Sequence, residues 1–146
     1  MKSNMIMVVL LITVGVAVSL QAGKRPTADA NLSNVPVQKE YPRDFESVWT
    51  ATIAVLSQRG DPIVHSDKTS GVITTDYKAE EGDWHHKFGL LLAKKGDAVT
   101  NVSVTCTVQK MSKSKFVGKY GKWEDKKSDG TRESQLLSEI GQRLQP

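Results

Sequence analysis

Between Asp44 and Gly60 the positions Phe45, Val48, Trp49, Thr52, Ile53, Val55 and Leu56 recur three and four residues apart. That spacing predicts a single amphipathic helix with a broad apolar stripe. Asp44 can cap its first turn, Glu46 suits its positive end, Gly60 can end it in the left-handed conformation, and Pro62 stops continuation. Beyond Pro62 the period changes to two. Ile63 to Ser66 reads as a short strand and Asp67 to Gly71 as a turn, and the β-branched run from Gly71 to Tyr77 completes a hairpin. After a polar loop at Glu80 to Asp83, the residues Trp84, His86, Phe88, Leu90 and Leu92 alternate onto one face, and a tight turn follows at Lys94 to Asp97. From Ala98 the alternation is the clearest in the chain. Val102, Val104, Cys106 and Val108 face one way, and Asn101, Ser103, Thr105, Thr107 and Gln109 face the other, as in an antiparallel strand with one dry and one wet face.

Pro36 and Pro42 confine the weak alternation of Val35 to Tyr41 to an edge strand. Lys110 to Gly130 carries much charge and little periodicity, and reads as a loop or extended excursion. A second helix is predicted from about Thr131, capped by Asp129 or Thr131, with Leu136, Leu137, Ile140 and Leu144 as its stripe. Gly141 weakens that helix by about 1 kcal/mol relative to Ala. The expected order is β-α-β-β-β-β-α over residues 35–146, a two-layer α+β domain in which two helices pack on one face of an antiparallel sheet of four to five strands.

The first residues follow a different pattern. Lys2 precedes an almost uninterrupted apolar run from Ile6 to Leu20, which ends in small and polar residues. This is the layout of a signal peptide spanning residues 1–22, cleaved after Ala22 or after Ser19. Lys24 and Arg25 follow the run directly and fit the alternative, an uncleaved anchor in the inner membrane. Residues 23–34 are small and polar and read as a flexible leader. No cysteine stands at the end of the apolar run, so a lipid anchor of the lipoprotein type has no attachment point.

With 146 residues and 38% hydrophobic content, one domain with a sizeable core is expected. The formal net charge of +4 is mild, and solubility explains it before any partner does. Cys106 is the single cysteine, so no intrachain disulfide can form, and its valine neighbours argue for packing rather than nucleophilic chemistry. The histidines are His65, His85 and His86, of which the adjacent pair points to opposite faces of a strand and cannot readily share a metal. Glu80, Glu81 and Asp83 crowd one turn without an opposing acid. No cofactor or metal is expected, no catalytic set can be assembled, and the reading is a non-enzyme.

The surface feature above background is the lysine-rich, aromatic segment of residues 110–127. Within it Lys113, Lys115, Lys119 and Lys122 alternate with Phe116, Tyr120 and Trp123, while Glu124, Asp125 and Asp129 dilute the charge. Such a segment either packs its rings back onto the domain or contacts a partner, including an anionic lipid or glycolipid surface. For an exported chain, nucleic acid is not the expected target.

The helix VWTATIAVLSQRG, the hairpin IVHSDKTSGVITTDY and the closing ESQLLSEIGQRL together resemble the helix-grip domains of bacterial envelope lipoproteins of the BamC (NlpB) type. Trp49, Gly60, Asp67, Gly71 and Ile73 carry that likeness, and all are fold-defining positions. The chain departs from the family by lacking the lipid-bearing cysteine and by holding one domain rather than two. The resemblance implies a periplasmic, non-catalytic protein-binding or accessory module of the cell envelope, with an envelope protein as partner and outer-membrane biogenesis as its setting.

Overall fold

A computed structural model of the chain describes residues 35–113 and 121–146. The proposed signal peptide or anchor and the leader lie outside the described residues. The elements are β1 (Val37–Tyr41), α1 (Phe45–Arg59), β2 (Ile63–Asp67), β3 (Val72–Thr75), β4 (Lys78–Glu80), β5 (Trp84–Lys94), β6 (Thr100–Met111), β7 (Trp123–Lys126) and α2 (Thr131–Arg143). All seven strands join one antiparallel sheet of order β1-β6-β5-β3-β2, with β4 also pairing β5 and β7 also pairing β6.

Two pairs of short strands share a track. β3 pairs Leu91 to Gly89 of β5, and β4 pairs His86 to Trp84 of the same strand. β7 and β1 likewise lie end to end along β6, at Met111 to Val108 and at Val104 to Thr100. The sheet is therefore five strands wide, within the expected width, although it contains two more short strands than the expected order allows. β4 takes Glu80, the first residue of the predicted polar loop, into the sheet, and β7 lies inside the predicted excursion of residues 110–130. Three of the four residues of β7 are charged, and an edge strand facing water on both sides leaves no period in the sequence. The first strand starts at Val37, leaving Val35 exposed.

α1 forms as its pattern requires. Asp44 accepts the Ser47 backbone N–H at 2.9 Å, and Gly60 ends the helix at φ 73°. In α2 the residue at the cap position is Gly130, and Asp129 supplies the side-chain acceptor, taking the Thr131 N–H at 2.9 Å.

Both helices cover the same face of the sheet. Val48, Val55 and Leu56 of α1 and Leu136, Leu137 and Ile140 of α2 join Ile73, Phe88, Leu90, Leu92, Val102, Val104, Cys106 and Val108 in one buried cluster. The alternation of β5 and β6 thus has its expected dry side, and Phe88 at its centre is fully buried. Tyr41 ties the first strand to the second helix by donating its hydroxyl proton to the Leu137 carbonyl oxygen. Burial at that position raises the Tyr41 pKa.

Among the described residues no helix lies over the other face. It presents Asn101, Ser103, Thr105, Thr107 and Gln109 from β6, with His85, Lys87 and the exposed Leu91 from β5.

Candidate functional site

Two polar or aromatic groupings stand out from the framework, one inside the layer between helices and sheet and one on the open face. The inner one is an ion network. Asp61, just past α1, is almost completely buried; its Oδ2 accepts from Arg59 Nε at 2.8 Å, and Lys78 Nζ lies 3.6 Å from its Oδ1. His86 on β5 sits between two carboxylates, with Nε2 at 3.3 Å from Asp61 Oδ1 and Nδ1 at 2.8 Å from Glu80 Oε1. Both ring nitrogens thus face a carboxylate, and the buried ring also packs edge-on against Phe88 at 4.9 Å between centroids. Arg132 of α2 donates to both oxygens of Glu80, at 3.0 and 2.6 Å, and Arg59 also donates to Glu139 at 2.9 Å.

Burial works to raise the Asp61 pKa, but His86, Arg59 and Lys78 outweigh it and hold the carboxyl at about 2. The Arg132 hydrogen bonds likewise hold Glu80 below the usual carboxylate range. These groups link both helices to β4 and β5, and each charge has an opposite neighbour. The arrangement is an internal clamp.

Cys106 is buried, and desolvation together with Glu133 pushes its thiol up to about 12, where the nucleophilic thiolate is scarce at neutral pH. Among the described residues no three of His, Cys, Asp and Glu converge as a metal site would require. His65 is exposed, His85 half-buried and His86 buried, so the three histidines occupy separate environments.

The outer grouping is an aromatic column. The β3–β4 track breaks between Thr75 and Lys78, where the Thr75 hydroxyl accepts the Phe88 N–H at 2.8 Å in place of a ladder bond. This kink places Tyr77 beside His85. The two rings stack at 4.0 Å between centroids and 22° between planes, and His85 in turn stacks on Trp123 at 3.6 Å and 11°. Lys87 closes the far end, its Nζ 4.8 Å from the Tyr77 ring centre. Gln109 lies between the strands that carry His85 and Trp123: its Oε1 is 2.6 Å from His85 Nε2, and its Nε2 donates to Asp125 Oδ1 at 2.7 Å. Trp123 is nonetheless 42% exposed.

Gly121 fixes where Trp123 enters the sheet. A Cβ on Gly121 would lie 1.8 Å from the Ser112 carbonyl oxygen, a gap that admits only glycine. Ser112 and Lys122 close the junction, with the Ser112 N–H donating to the Lys122 carbonyl oxygen at 2.8 Å and the Lys122 N–H donating to Ser112 Oγ at 3.0 Å.

Of the sequence-predicted contact residues, Lys113 and Lys122 are exposed and Trp123 joins the column, while Lys115, Phe116, Lys119 and Tyr120 lie outside the described residues. Neighbouring lysines are partly committed: Lys126 pairs with Glu124 at 2.9 Å, and Lys110 lies over the Trp84 ring at 4.7 Å. Sequence reasoning passed over Tyr77, His85 and Gln109 as members of a site. The available signal was the outward phase of His85 and Gln109 on two strands whose inward phase was plain.

Comparison with protein-family models and with curated proteins gives no match to this chain. No helix among the described residues is long and apolar enough to cross a membrane.

Proposed function

We propose that the chain is a non-catalytic binding or accessory module of the bacterial cell envelope, exported to the periplasm, with a helix-grip-like fold whose open sheet face makes the contact. The observation that carries this reading is the Tyr77–His85–Trp123 column, a large ring assembly held on the face that no helix among the described residues covers. Folding alone does not require it, since the buried cluster is complete on the other side of the sheet. Tryptophan and tyrosine on a rigid surface supply large contact area at low entropic cost, as in the energetic centres of binding interfaces. The export reading is supported by the apolar run from Ile6 to Leu20, and the helix-grip likeness by an α1 and a β2–β3 hairpin at the positions that carry the resemblance. An anionic-surface role is less favoured, because Glu124 and Asp125 stand beside the lysines and one acid lies against the column itself.

Chemical cross-linking in intact cells, followed by recovery of the protein, tests the reading. A cross-linked complex with an envelope component is expected for the wild type and is expected to be lost in Trp123→Ala. Recovery of the same complex at the same yield from Trp123→Ala, or of monomer alone from both, contradicts it.

A further inference from the structure

We propose that the Trp123 end of the column is a subsite for a neutral pyranose unit of a glycan. The inference rests on reading the open face as the binding surface and adds the chemical class of what binds there. One face of the Trp123 indole lies on His85, and among the described residues no ring or cation covers the other. The opposite end of the column is closed by Lys87, so the open ring surface is at Trp123.

A pyranose ring offers a flat patch of C–H bonds bordered by hydroxyls. It needs an aromatic platform beneath and carboxylate, amide or hydroxyl groups at the rim. Both are present. Asp125 is exposed, takes the Gln109 amide on Oδ1, and its Oδ2 makes no hydrogen bond among the described residues. Gln109 is fixed from both sides by His85 and Asp125, and Thr107 continues the row along β6 with its hydroxyl, while the Thr105 hydroxyl beyond it donates to the Gly89 carbonyl oxygen at 3.1 Å and is left to accept. A carboxylate accepts strongly from sugar hydroxyls, while a threonine hydroxyl can donate or accept.

Charge separates the sugar from other stacking ligands. Nucleobases also stack on tryptophan, but they bring phosphates that require lysine or arginine nearby. Here the outward residues of β6 from Asn101 to Gln109 are uncharged, Lys87 is engaged over Tyr77, and the charge bonded to the Gln109 amide that braces the column is the negative Asp125, against the exposed Lys122 next to Trp123 in the chain. A neutral ligand meets no electrostatic cost on such a face. His85 and Tyr77 also hold the indole in one orientation before the ligand arrives, which limits the entropy lost on binding.

The chain contains three tryptophans, so the uniformly 15N-labelled protein gives three indole N–H signals, and that of Trp123 is the one absent from Trp123→Ala. We would titrate the full chain with a β-1,4-linked N-acetylglucosamine oligomer, standing for cell-wall glycan, and with a β-1,4-linked glucose oligomer, standing for a polysaccharide without amino sugars. The expected result is a saturable shift of the Trp123 indole with at least one oligomer, unchanged by added salt. Trp123→Ala should weaken binding roughly tenfold or more, and Trp123→Phe, which keeps a ring and guards against a folding defect, by less. The oligomer that binds more tightly identifies the source.

Saturation by neither oligomer overturns the proposal, as does equal affinity in Trp123→Ala or abolition of binding by salt. If neither oligomer binds while the Trp123-dependent cross-linked complex persists in cells, the glycan assignment falls and the open-face reading stands. If that complex is also missing, both fall.

Discussion

Replacing Asp61 by Asn tests the internal clamp, because it keeps the side chain's shape while removing its charge from a site with almost no solvent contact. In the wild type the carboxylate faces Arg59 at 2.8 Å, His86 at 3.3 Å and Lys78 at 3.6 Å, and its pKa falls from the ordinary 3.8 to about 2. At 1.36 kcal/mol per pH unit, that gap corresponds to about 2 kcal/mol of folding stability. A group whose folded-state pKa is depressed stabilises the fold above its unfolded value. The contribution is complete above about pH 5 and disappears as the pH falls through 3.8 towards 2. Removing one partner of a buried ion pair also leaves the others uncompensated, so the variant should lose about 3 kcal/mol at neutral pH.

Urea unfolding of the wild type and Asp61→Asn at neutral pH and near pH 2 measures both effects. Glu80, Asp44, Asp67 and Asp129 also have lowered pKa values and contribute to acid loss in both proteins. The comparison therefore isolates Asp61. The wild type should lose about 2 kcal/mol more than the variant on acidification. Parallel stability curves for the two proteins, or a variant as stable as wild type at neutral pH, would refute the reasoning.

Phe88→Ala should cost about 3–5 kcal/mol, because the ring is fully buried at the centre of the cluster, and chemical denaturation measures it directly. Gly121→Ala should cost roughly 1–3 kcal/mol, since the added Cβ meets the Ser112 carbonyl oxygen. It should also weaken the near-ultraviolet circular dichroism of the Trp123 stack, and an unchanged melting temperature would count against the close junction. Cys106 should react with a thiol reagent only as the protein unfolds, with wild-type rates following urea concentration; rapid labelling of the native protein at neutral pH would contradict its burial.

The framework was legible where one period persisted over many residues. α1 announced itself through spacing, Asp44 and Gly60, and β6 through five alternations in a row, because in both a dry side faces a wet one throughout. β4 and β7 were hidden by shortness and charge. Glu80 reads as a loop residue until its ion partner Arg132 is seen across the fold, and nothing in the sequence pairs Lys78 with Asp61. The basic segment pointed to Trp123, but not to what the ring rests on. The column joins Tyr77, His85 and Trp123 through a kink and an edge-strand register, and neither leaves a period in the chain. The same holds for Asp61, whose position after a helix stop looks like ordinary turn chemistry and whose burial comes from its distant partners.

The claim that the open sheet face is the binding surface can be tested most directly by photo-cross-linking in cells. A photoreactive residue at Thr107, on the outward side of β6 next to Gln109, probes that face, and one at Ser138, exposed on α2, probes the opposite one. The account predicts adducts with an envelope component from position 107 that Trp123→Ala removes, and none from position 138. Adducts from position 138 alone would place the binding surface on the helical layer and contradict it.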